Sequence, residues 1–166
     1  DIYAFFFRSL HAKINPVSVW KYTIPQGYES VLIPTHDCDS RTAYDEMYWV
    51  SEYEKSLGMS AHYFLTVHYF RDAGYLSDFY NAETKPKAQR LLVDGHTVGS
   101  HSICHFPDFS KTELFPATVV TKDAYAVSAH HDKTTGVTQG GSTWAELGLS
   151  KLIIEEDLGN RVRSFR

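Results

Sequence analysis

Two short stretches of the chain gather the residue types that hydrolytic metal sites use. Asp37-Cys38-Asp39 places two carboxylates two residues apart. On an extended strand such residues share a face, so both can project into one site while Cys38 turns into the packing. Carboxylates that close repel each other unless one meets a cation and the other an Arg. His101-Ser102-Ile103-Cys104-His105 sets two imidazoles at i and i+4. In a helical turn they would face one way, at a spacing suited to a single metal ion. Each stretch also has an ordinary reading. Asp favours turns and N-caps, and a chain with nine histidines can carry such a pair on its surface by chance. Together they offer one carboxylate and two imidazoles. Three ligands leave a coordination position open, as catalytic zinc sites do, and the second carboxylate is then free to act as a base. A structural zinc usually closes with four protein ligands, often Cys, and only three are visible here.

The remaining candidates have simpler expectations. Strand alternation turns His36 away from Asp37, which predicts a packed or hydrogen-bonded histidine. His62 and His68 flank an apolar run and read as structural. His130 and His131 fall in a long polar stretch and read as solvated loop histidines or, at most, substrate contacts. Cys38 and Cys104 are too few for a disulfide framework, so two small buried thiols are expected.

These residues need elements to position them. Residues 29–34 (ESVLIP) form a short apolar run that breaks into the polar cluster at 35–40, which predicts a strand delivering polar side chains at its end. Over residues 41–57, Ala43, Met47, Val50, Tyr53 and Leu57 recur at three- and four-residue steps before Gly58, the pattern of an amphipathic helix. Residues 61–67 are dense in aromatic and β-branched side chains and predict a buried second strand. Pro86 suits the first turn of a helix over 86–94 ended by Gly95. Residues 96–100 predict a third strand running into His101. Residues 115–142 have little periodicity and read as a long loop with minor structure. Residues 143–146 (TWAE) match a capping box for a helix that carries Leu147, Ile154 and Leu158 on one face and stops at Gly159. Residues 161–165 are a candidate fourth strand. Strands alternating with helices predict a parallel α/β architecture.

Composition narrows the function. The chain has 166 residues, a formal net charge of −4, 43% hydrophobic and 22% charged residues. These values fit one domain with a real core and argue against extended disorder. With no Lys/Arg cluster, the electrostatic footprint of a nucleic-acid binder is missing. No apolar stretch approaches the roughly 20 residues of a transmembrane helix. Asp1 in place of an initiating Met leads us to expect a processed or excised chain.

Three stretches resemble the polysaccharide deacetylase family, also called the NodB-homology domain or carbohydrate esterase family 4. Thr35-His36-Asp37-Cys38-Asp39 resembles its first motif in an Asp-x-Asp form, with Cys38 where the family usually has a second Asp. His101-Ser102-Ile103-Cys104-His105 resembles its His-Ser/Thr-x-x-His motif, preceded by Gly95-His96-Thr97-Val98-Gly99-Ser100. Leu158-Gly159-Asn160-Arg161 through Arg166 resembles the start of its third motif. The likeness covers residues 31–166 and leaves 1–30 as an N-terminal extension of unassigned role.

The resemblance implies an irregular (β/α) barrel, present here only as its N-terminal part. It implies a hydrolase that removes N-acetyl groups from the amino sugars of a polysaccharide, with an extracytoplasmic or cell-envelope setting. Asp37 would be the base, Asp39, His101 and His105 the ligands of a divalent metal, most naturally Zn2+, and Arg166 the residue that tethers Asp37. The site would lie at the C-terminal ends of the strands. Another amide or imide, or a catalytically inactive carbohydrate-binding role, are the alternatives on the same site. The resemblance also expects the chain to run on past Arg166 into a Pro-containing loop and a His that protonates the leaving amine, since four strands cannot close a barrel of about eight.

Overall fold

The computed structural model describes residue 24 and residues 27–68, 80–108, 130–132 and 134–166. The chain divides into two units, Asp1–Leu32 and Ile33–Arg166. Every element named below belongs to the second, and most of the N-terminal extension lies outside the described residues.

The protein is mixed α/β, built on a parallel three-stranded sheet. β1 (Thr35–Cys38), β2 (His62–Leu65) and β3 (Thr97–Ser100) lie in the order β1-β2-β3, with α1 (Arg41–Ser56) and α2 (Lys85–Val93) as the crossovers that parallel neighbours require. The register sets Thr35 beside His62 and Thr97, and Asp37 beside Phe64 and Gly99. Strand alternation therefore divides the sheet. Cys38, Tyr63, Leu65 and Val98 face one way and join Tyr44 and Met47 of α1 and Ala88 and Leu91 of α2 in the buried core. Thr35, Asp37, His62, Phe64 and Gly99 share the opposite face. Among the described residues the sheet is open, and no helix is long and apolar enough to cross a membrane.

Several expectations shift in detail. The first strand is not residues 29–34 but the polar Thr35–Cys38. A strand exists where a partner runs beside it, and β2 begins opposite Thr35, with only the His62 N–H reaching back to the Pro34 carbonyl at 3.0 Å. Leu32 and Ile33 stay 78% and 73% exposed. α1 begins as expected. Ser40 caps it in an extended conformation, its hydroxyl accepting from the Ala43 N–H at 3.2 Å, and Gly58 follows in the left-handed region. Its buried face, however, carries Tyr44, Met47, Ser51 and Glu54, while Tyr53 and Leu57 are exposed. The helix is rotated toward Glu54 because that carboxylate has partners in the sheet: Tyr63 Oη–H donates at 2.6 Å and His36 Nε2–H at 2.8 Å.

The C-terminal helix is capped one residue earlier than expected. Ser142, not Thr143, caps it: its hydroxyl accepts from the Ala145 N–H at 3.3 Å and its carbonyl from the Glu146 N–H at 2.9 Å. The first turn, Ala145–Leu149, is a π-helix that passes into α3 (Ser150–Leu158) and stops at Gly159 with φ +62°. Residues 161–165 make one parallel bridge, Ser100 to Phe165, rather than a strand. The Val162 N–H is taken by Glu155 Oε1 at 2.8 Å, so only the last residues reach β3. There the Ser100 N–H donates to the Ser164 carbonyl at 3.0 Å, and the Arg166 N–H to the Ser100 carbonyl at 3.1 Å. The expected loop over 115–142 contains an antiparallel hairpin, β4 (His130–Asp132) with β5 (Val137–Gln139), and its residues up to 129 lie outside the described set.

Candidate metal centre

Asp39 and His101 are the first residues beyond β1 and β3, so both stand at the carboxyl ends of the parallel strands, where open α/β sheets bind ligands. The backbone fixes these ends. The Thr66 N–H donates to the Cys38 carbonyl at 3.0 Å, and the His101 N–H to the Leu65 carbonyl at 2.9 Å. Cys38 packs inward between the two Asp residues, as the alternation requires, and both Cys38 and Cys104 are buried free thiols. Burial, with Asp39 and Asp37 adding, pushes the Cys38 thiol up to about 12.

Residues 101–105 form a loop, not the helical turn that would align two histidines by periodicity. Ser102 and His105 adopt left-handed backbone conformations, with φ of 71° and 55°. For residues with a Cβ this costs about 1–3 kcal/mol each, and it persists only where surrounding contacts enforce it. The contacts are visible. Ser102 Oγ accepts from the His105 N–H at 3.0 Å. Glu146 Oε2 accepts from the N–H of Ile103 at 3.0 Å and of Cys104 at 2.9 Å. Glu146 is fully buried; its sequence context suggests only a capping-box role, and that of Ser102 only a place in the His-Ser/Thr-x-x-His motif.

The loop brings the expected ligands together. One donor atom from each of Asp39, His101 and His105 lies within 4.8 Å of the others, a possible metal-binding triad. His105 Nε2 stands 3.0 Å from His101 Nε2 and 3.6 Å from Asp39 Oδ2. Ligands spaced tetrahedrally at zinc bond lengths lie about 3.3 Å apart, between these two values. The tautomers fit as well. His101 Nδ1 lies 2.6 Å from the Arg166 carbonyl, which can only accept, so Nδ1 carries the proton and Nε2 turns its lone pair toward His105. Burial, reinforced by the neighbouring His101, holds the His105 imidazole below its usual value and favours the neutral form that binds metals.

Arg166 connects this triad to Asp37. Its Nε lies 3.6 Å from Asp37 Oδ2, its Nη1–H donates to Thr35 Oγ1 at 2.5 Å, and its guanidinium sits 6.0 Å from the centre of the Phe64 ring. Asp37 Oδ1 is buried with no hydrogen-bond partner among the described residues. A buried carboxylate oxygen left without a donor is costly.

His36 turns away from Asp37, as the alternation predicts. His36 stacks on Tyr63 with ring centroids 4.6 Å apart. His62 accepts or donates at both ring nitrogens, to Thr97 Oγ1 at 2.7 Å and Ser164 Oγ at 2.6 Å. His131 is not a solvated loop residue. It is buried on β4, with Nδ1 3.1 Å from Thr138 Oγ1 and 3.3 Å from Asp108 Oδ1. Burial works to raise the Asp108 carboxyl, but hydrogen bonds from the Thr138 side chain and N–H prevail and hold it below its usual value. Nothing is described of the His130 side chain.

No family model, curated protein or solved structure matches this chain.

Proposed function

We propose that the protein is a metal-dependent hydrolase of the polysaccharide deacetylase type, removing N-acetyl groups from the amino sugars of a polysaccharide. On this reading the open parallel sheet is the N-terminal part of an irregular (β/α) barrel. The observation that carries the proposal is the convergence of Asp39, His101 and His105 at the carboxyl ends of the strands, beside a second carboxylate held by an arginine.

Asp39 Oδ2, His101 Nε2 and His105 Nε2 would hold the cation, and zinc suits this mixed nitrogen and oxygen set. Once bound, a divalent cation polarises an acetamide carbonyl and lowers the pKa of water enough to generate a nucleophile near neutral pH. The chain's own residues do the rest. Asp37 takes the proton of the attacking water, while Arg166, with Nε 3.6 Å from Asp37 Oδ2, fixes the carboxylate's direction. The Arg166 carbonyl keeps His101 in the tautomer that leaves Nε2 unprotonated. Acetate departs and a free amine remains on the sugar.

The test is acetate release by the zinc-loaded protein from peptidoglycan, chitin-type and exopolysaccharide oligomers, run beside Asp37→Asn. The expected result is release from at least one polymer class, and for Asp37→Asn a full zinc content with turnover down by at least about 100-fold. An Asp37→Asn variant that loses zinc while Asp39→Asn keeps it would show that the two carboxylates have exchanged roles. Absence of release from every N-acetylated oligomer defeats the proposal.

A further inference from the structure

Glu146 lies forty-five residues beyond His101, on a helix that supplies no ligand to the triad. Its backbone belongs to a single π-helical stretch, Ala145–Leu149. Such stretches are rare and concentrate at functional sites, because the wider turn changes which side chain points inward. Here a carboxylate is directed into the protein. It is fully buried and receives the N–H groups of Ile103 and Cys104, two of the three residues between His101 and His105.

The loop has a reason to need this clamp. Two of its five residues, Ser102 and His105, hold left-handed conformations, and one of them is a ligand. The second anchor is Ser102 Oγ on the His105 N–H. The helix itself is fastened to the sheet beside the site, with Ser150 Oγ 2.6 Å from Ser100 Oγ, directly before His101. β3, the loop and the π-helix therefore form one connected unit, with Glu146 bonded to the middle of the strained segment.

We infer that Glu146 is a positioning residue for the metal centre, its carboxylate holding the 101–105 loop in the conformation that points His101 and His105 at one cation. The inference rests on the metal-site reading of Asp39, His101 and His105. It assigns Glu146 no contact with substrate or metal.

The experiment measures zinc affinity by competition with a chromophoric chelator, with urea unfolding recorded for each protein. Glu146→Leu removes the acceptor, whereas Glu146→Gln keeps an amide oxygen able to accept from both N–H groups. The expected result is zinc binding weakened about 10- to 100-fold in Glu146→Leu, the range seen when outer-shell partners are lost, and recovery to within about threefold of wild type in Glu146→Gln. Glu146→Leu binding zinc like the wild type overturns the inference, as does Glu146→Gln binding as weakly as Glu146→Leu. Should Glu146→Leu fail to fold, Glu146→Asp, one methylene too short to bring its oxygen to the two amides, decides: weakened zinc binding supports the clamp and unchanged binding overturns it. Wild-type protein that binds no zinc defeats the metal centre as well, whereas a zinc-binding wild type with an unaffected Glu146→Leu defeats the clamp alone.

Discussion

Gly99 sits where three side chains converge. A Cβ there would come within 2.6 Å of His62 Nε2, 2.7 Å of Phe64 Cδ1 and 2.7 Å of Ser164 Oγ. These atoms cannot simply move aside, because His62 is bonded to Thr97 and Ser164 and stacks on Phe64 with centroids 4.3 Å apart. Gly99→Ala is therefore expected to destabilise the fold by about 1–3 kcal/mol, the range for overpacking, read as a lower urea midpoint. A stable Gly99→Ala would show that this side of the sheet is not packed as described. Cys38 gives a second test at the same scale. With its thiol pushed up to about 12, chiefly by burial, it should resist a disulfide-exchange reagent at pH 8 in the folded protein and react fully in denaturant. Rapid labelling of the native state would contradict its burial. The inward turn of Cys38 was legible in the sequence because it follows from strand alternation alone. The crowding at Gly99 was not, since it depends on which residues the register places side by side.

Helix α1 shows why element boundaries are easier to read than faces. Its start at Ser40 and its stop before Gly58 follow from local chemistry, a hydroxyl cap and a left-handed glycine, so spacing and residue type suffice. Its buried face was read from apolar residues, which put Tyr53 inside and left Glu54 out, and the structure has the reverse. Nothing in the helix announces that Glu54 will meet Tyr63 and His36, because those partners come from strands up to eighteen residues away. Glu146 was misread for the same reason, its partners Ile103 and Cys104 lying more than forty residues earlier. The triad itself was legible because each half is a short local motif. Paired substitutions test the rotated face. Glu54→Ala strands the buried Tyr63 hydroxyl and should cost about 1–3 kcal/mol. Tyr53→Ala, at a position 60% exposed, should stay within about 0.5 kcal/mol of wild type. Equal costs in urea denaturation, or a larger cost at Tyr53, would place the apolar face inside after all.

Across the whole molecule, the carboxylates and histidines whose titration the fold perturbs are all lowered, so they share one sign. Hydrogen bonds from Lys55 and Arg90 hold the Asp94 carboxyl below its usual 3.8. Arg41, with Lys87, does the same for Asp45, backbone and side-chain donors from Thr134 and Thr135 for Asp132, and Lys151 with the Val162 N–H for Glu155, whose usual value is 4.5. Each carboxylate is thus more acidic folded than unfolded. Its contribution is present above its usual value and disappears as the pH falls through the folded one, because protonation then favours the unfolded chain. Burial lowers His62 from its usual 6.5, and a depressed histidine has the same direction: protonation on acidification is taken up first by the unfolded state. The two sets act in sequence. Stability should be level above about pH 7, decline gently as the pH drops below about 6.5, and fall steeply below about 4.5. Urea midpoints measured between pH 8 and pH 3 check this, with a chelator present throughout so that loss of a bound cation cannot imitate the histidine limb. A midpoint that holds steady or rises between pH 5 and pH 3 would mean that these ion pairs and hydrogen bonds do not favour the charged carboxylates in the folded protein.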